Sequence, residues 1–104
     1  MPDRTEILKN MVAQNPQNTF ARYGLAMEYA NGGNLEAAVT EFRLLLEQNA
    51  DYAAAYFHGG QALEKLGRVE EARDFYQRGI ACTSRTGDSH TRSELEAALD
   101  LLPS

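Results

Sequence analysis

The feature that most constrains this chain is a repeat at one fixed offset. From Tyr56 to Tyr76, two helical patterns meet at the break Leu66-Gly67-Arg68. A weaker copy lies 34 residues upstream, from Arg22 to Phe42, with Gly33 against Gly67. Glu36 then matches Glu70 and Ala38 matches Ala72. Tyr23 stands at the position of Phe57, Leu35 at that of Val69, and Phe42 at that of Tyr76. Self-similarity at one spacing sets the architecture, because such units bury their apolar faces only by stacking on one another.

The patterns on either side are also helical. Asp3 is placed to cap a first helix reaching Gln14, with Glu6 three residues on. Its apolar residues Ile7, Leu8, Met11 and Val12 share one face. Asn15-Pro16 stops it, since proline pushes the preceding residue out of helical geometry. Asn18 is expected to cap a second helix, to about Ala30. Its apolar positions Phe20, Tyr23, Leu25, Ala26, Met27 and Tyr29 are too many for one stripe. Such a helix is touched on two sides or shows apolar surface to a partner. Asn34 should cap Leu35 to about Gln48, with an inner face of Leu35, Ala38, Val39, Phe42, Leu45 and Leu46. Asp51 should cap Tyr52 to Lys65, which Gly67 ends. The fifth helix runs from Val69 to Arg85, with Glu70 and Glu71 at the positive end of its dipole and Gly87 as its stop. The last lies between Ser89 and Leu102. Two starts stay open, a cap at Asp88 or Ser89 and the better-matching box Ser93-x-x-Glu96. Leu95, Ala98, Leu99 and Leu102 form its stripe. No strand pattern is present.

At 104 residues the chain is one domain. Its net charge of −5 argues against sequence-independent nucleic-acid binding, where cations must neutralise phosphates. The single cysteine, Cys82, excludes an internal disulfide and reads as a core thiol. The start Met1-Pro2-Asp3-Arg4-Thr5-Glu6 lacks the apolar core of a signal peptide. No apolar run approaches the ~20 residues of a membrane span. The expectation is a soluble, cytoplasmic protein.

Helix pairs at this spacing, with small and aromatic residues at set places, resemble the tetratricopeptide repeat (TPR) family. The family pattern is Trp-x2-Leu-Gly-x2-Tyr, then Ala-x3-Phe, then Pro. The second repeat supplies Tyr56-x2-Gly59-Gly60-x2-Leu63, Ala72-x3-Tyr76 and Ser84 at the proline place. The first supplies Arg22-x2-Leu25-Ala26-x2-Tyr29, Ala38-x3-Phe42 and Ala50. The first helix fits a preceding half-repeat, with Leu8 in place of Phe42 and Pro16 on the proline position. The resemblance covers about residues 3–84. It implies an all-α, right-handed α-α superhelix: two TPR-like helix pairs flanked by an N-terminal and a C-terminal helix. The units are a half-repeat at 1–16, repeats at 19–52 and 53–86, and a capping helix at 88–104. Two departures stand out. Gly59 replaces leucine, which we ascribe to the approach of Phe57 or Tyr23 from the adjacent pair, and Arg22 replaces tryptophan.

In TPR arrays the first helix of each pair lines a concave groove for a partner peptide. By position, the groove here implies Phe20, Tyr23, Met27, Ala30 and Asn31, then Phe57, His58, Gln61, Glu64 and Lys65. Phe20, Tyr23 and Met27 are equally open to being core. Where some TPR domains grip a terminal carboxylate, this chain has Tyr23, Met27, His58, Asp88 and Arg92, and only Arg92 has the required charge. An aromatic, methionine-bearing groove suits an apolar or amphipathic peptide.

His58 and His90, with Cys82 far from both, offer no metal-ligand spacing. Glu70, Glu71 and Asp74 show no paired setting for acid–base work. No phosphate-cradling loop occurs. The reading is a non-enzymatic, cofactor-free protein–protein interaction module, with no nucleic-acid or membrane partner. Its partner is a protein or peptide of unknown identity, and the chain is a monomer or a homodimer. The alternative is a homo-oligomeric structural or assembly protein that uses the same apolar face for self-association.

Overall fold

Three side chains open three of the six helices. Asp3 accepts the Glu6 amide at 2.9 Å, Asn18 that of Ala21 at 3.0 Å, and Asp88 that of Thr91 at 3.1 Å. Each satisfies one amide that the helix itself leaves unpaired. The computed structural model describes residues 1–104. Its elements are α1 (Arg4–Gln14), α2 (Thr19–Asn31), α3 (Leu35–Gln48), α4 (Ala53–Lys65), α5 (Val69–Thr86) and α6 (Ser89–Asp100), with no strand. Gly33 and Gly67 close α2 and α4 with φ near +80°, a conformation open to glycine because it has no Cβ.

The caps depart from expectation at two places, and the open start of α6 is decided. Asn34 sits at the N-cap of α3 but makes no side-chain bond there. Tyr52, not Asp51, is the N-cap of α4, again with no side-chain bond. Asp51 turns instead to the Arg85 guanidinium and accepts the Cys82 thiol at 3.9 Å. At α6 the Ser93 box is unused. Asp88 starts the helix a turn earlier, and the Ser93 hydroxyl donates to the Ser89 carbonyl inside it.

α2, α4 and α6 form one layer, in which neighbours touch. α1, α3 and α5 form the other, and none of these touches another of its own layer. A stack whose helices lie closer on one side curves toward that side, so α2, α4 and α6 line the concave face. The shortest extent, 19 Å, is two helix layers deep at the usual spacing of about 8–10 Å. One core of 16 buried residues runs through α2–α6. A smaller cluster, Leu8, Val12, Ala21 and Leu25, lies under α1, and Tyr29 touches both. Ile7 and Met11, expected on the inner face of α1, are exposed, because α1 has a neighbour on one side only and Leu8 and Val12 fill that contact.

Gly59 and Gly60 show what the seam between paired helices requires. A Cβ on Gly60 would overlap the Tyr76 ring, and one on Gly59 would overlap the edge of Phe75. The neighbour of Gly59 is therefore Phe75 of its own pair. Phe57 and Tyr23, the expected neighbours, are not the ones that approach it. In the other pair, Arg22 is buried against half-buried Glu41, its Nη1 3.0 Å from the carboxylate, and donates to the Pro16 carbonyl at 3.3 Å. At the C-terminal end, Leu95 and Leu102 are buried while the outer face of α6 carries the Arg92–Glu96 ion pair. A polar outer face ends such a stack.

Candidate partner-binding face

The concave layer is aromatic between α2 and α4. The Tyr23 ring lies 5.1 Å from Tyr52, 6.1 Å from His58 and 6.3 Å from Phe42. Phe57 meets His58 edge-on at 5.2 Å. Burial pushes the Tyr23 and Tyr52 hydroxyls above their ordinary range. Burial also lowers His58, against opposing pulls from a Gln61 hydrogen bond and the Glu94 charge, so the imidazole is neutral at pH 7. Around Tyr23 the face therefore presents rings and a neutral imidazole.

Two clefts with apolar walls open on it, beside a polar hollow of about 230 Å³ lined by Gln61, Glu64 and Lys65. A small one of about 60 Å³, between α2 and α4, holds Met27, Asn31, His58, Gln61 and Lys65 among its walls. A larger one of about 350 Å³, between α4 and α6, is lined by Phe57, Gln61, Glu64, Glu94, Ala97, Ala98 and Leu101. Gln61 borders both. Tyr23 and Met27 are half-buried, packed on the core from this side. Phe20 lines neither cleft and stands 75% exposed at the start of α2.

Of the ten lysines and arginines, nine lie within 4.0 Å of a carboxylate. Lys65 has no such partner and stands in the small cleft with its charge unanswered. Arg92 is tied to Glu96 at 3.6 Å and Asp88 is spent on the cap of α6, so neither is arranged to grip a carboxylate. No group of three or more His, Cys, Asp and Glu side chains converges to hold a metal ion. No helix is long and apolar enough to cross a membrane.

A sequence profile of the tetratricopeptide repeat matches residues 11–85. The chain belongs to the TPR family. A TPR repeat-containing protein of Pseudomonas aeruginosa is 29% identical over 94 residues, which is 90% of each chain. The solution structure of a tetratricopeptide repeat domain protein from Salinibacter ruber is similar at 35% identity and a TM-score of 0.76, covering 82% of this chain and 86% of that one. PcrH, solved in complex with the chaperone binding region of PopD, has the same fold at 14% identity and a TM-score of 0.88. That match covers 92% of this chain and 73% of PcrH.

Against the TPR pattern, the sequence misses the α6 wall of the larger cleft: Glu94, Ala97, Ala98 and Leu101. One signal was there. Leu101 falls outside the stripe Leu95, Ala98, Leu99 and Leu102, so a single helix face cannot bury it, and it is 84% exposed.

Proposed function

We propose that this TPR protein holds a partner segment, a peptide or a helix, along the concave face of α2, α4 and α6, and performs no chemistry of its own. The observation that carries the reading is Lys65, the one cation without a carboxylate, beside half-buried rings and a cleft that the chain leaves open. Phe57, His58, Gln61 and Lys65 are the contacts from α4; Tyr23, Met27 and Asn31 are those from α2. Phe20 joins them only for a partner long enough to reach the start of α2. The repeats are assigned to 19–52 and 53–86, with 1–16 and 88–104 closing the ends. PcrH supports the reading by analogy, since the same fold is seen there with a bound chaperone-binding region. The test is affinity capture with the wild type, a Tyr23→Ala/Met27→Ala variant and a Gln61→Ala/Lys65→Ala variant in parallel. Both variants should lose the partner while keeping a wild-type circular dichroism spectrum. Unfolding of the first would make Tyr23 and Met27 core, and undiminished capture by the exposed second pair would remove the face from binding.

Self-association is the second reading, and the exposure of Phe20 and Leu101 favours it. Sedimentation at micromolar concentration decides it: a clean monomer ends the dimer.

A further inference from the structure

We infer that the cleft between α4 and α6 takes an apolar side chain carried next to a lysine or arginine on the partner segment. The inference rests on the binding-face reading above and adds the chemistry of the occupant. The apolar part of the lining is Phe57, Ala97, Ala98 and Leu101. The rims are carboxylates, Glu64 on α4 and Glu94 on α6, and no lysine or arginine lines the cleft.

Most acids of the helical surface are answered by a cation; Glu47 and Asp100 also lack one, but only Glu64 and Glu94 line this cleft. Glu28, Glu36, Glu41, Glu70, Glu71 and Asp74 each have an arginine within 4.0 Å. Glu64 has no cation. Its carboxylate instead accepts the hydroxyl of Tyr76, whose ring is fully buried between the helices, and this bond holds it at the cleft edge. That carboxylate raises the Tyr76 hydroxyl further above its ordinary range, after burial. Glu94 has only His90, one turn back at 3.7 Å and 88% exposed. A partner carboxylate placed here would meet two like charges; a partner cation would answer both. The apolar lining anchors one side chain, and the rims select what stands beside it. Lys65, in the neighbouring cleft, has the opposite sign, so an acid further along the same segment would fix its direction.

The probe is a random peptide library displayed on phage and panned against the full chain, with anisotropy on the selected peptides at low and high salt. The wild type should enrich a leucine, methionine, isoleucine or phenylalanine within one helical turn of a lysine or arginine. Glu64→Gln/Glu94→Gln keeps both side-chain shapes and should bind those peptides about tenfold more weakly, with little salt dependence. Leu101→Ser should weaken binding without changing the salt dependence. Peptides with no basic preference, or bound equally by the Gln variant, overturn the inference. If such peptides still lose binding to the Gln61→Ala/Lys65→Ala variant, the binding-face reading stands and only the cleft assignment fails. If no peptide is enriched, or if none responds to either set, both fail. A wild-type dimer that the Gln variant dissociates would make a second copy the occupant and overturn the peptide assignment.

Discussion

The two helix pairs solve one packing problem with different chemistry. Arg22, Glu41 and Pro16 of the first pair stand 34 residues before Tyr56, Phe75 and Ala50 of the second. In the first pair Arg22 meets Glu41 as an ion pair and donates to the Pro16 carbonyl. In the second pair Tyr56 meets Phe75 edge-on at 6.3 Å, and its hydroxyl donates to the Ala50 carbonyl at 2.7 Å. Both side chains reach for the same carbonyl position of the repeat. The ion pair is nearly out of solvent, with side chains 8% and 15% exposed, and it leaves Arg22 Nε without a partner. The aromatic pair satisfies its hydroxyl, but the Phe75 ring occupies the room a side chain at position 59 would need. Leu25, which fills the matching place in the first pair, can stay because Glu41 turns to Arg22. Gly59 is thus the counterpart of Phe75, and the glycine and the tryptophan-place arginine are two sides of one exchange.

The comparison breaks most sharply at Glu41. Glu41→Leu strands a buried guanidinium and should lower stability by about 3 kcal/mol in chemical denaturation. Importing the second pair's solution, Arg22→Tyr with Leu25→Gly and Glu41→Phe, should return the chain to within about 1 kcal/mol of wild type. A single change that costs nothing would mean the ion pair is effectively solvated. The second effect is smaller. Gly59→Ala crowds the Phe75 ring and should cost about 2 kcal/mol, much of it recovered when Phe75→Leu is added. Additive losses would show that the ring and the glycine are independent. The smallest effect is a slope. Burial holds His58 below its ordinary 6.5, so the unfolded chain takes up the proton first as pH falls. Stability should therefore decline as pH drops from about 6.5 through the lower folded value. Melting temperature followed from pH 7.5 to 5.5 should lose that contribution in His58→Asn, and an unchanged slope would place the imidazole in solvent.

Much of the fold was legible because it follows from local pattern and period. Gly33, Gly67 and Gly87 mark three helix ends; the stripe of α3 is buried except for half-buried Leu35, and that of α6 buries Leu95 and Leu102 with Ala98 and Leu99 half-buried. Positions whose role depends on a competing partner were not legible. Asp51 is a good cap by type, but the Arg85 guanidinium and the Cys82 thiol claim its carboxylate. Ser93 heads a proper box, but Asp88 starts the helix first. Of the face residues, α2 and α4 followed from register. The α6 wall did not, because the longer α5 shifts the last helix out of the 34-residue frame.

By itself the sequence determined that this chain is a stack of helix pairs, since a fixed period with small residues at the seam leaves no other way to bury its apolar faces. Only the tertiary structure decided which residue needs Gly59 to be glycine and which acids stand without a cation. Those are properties of neighbours distant in sequence. The ring that excludes a side chain at Gly59 and the hydroxyl that holds Glu64 both come from α5.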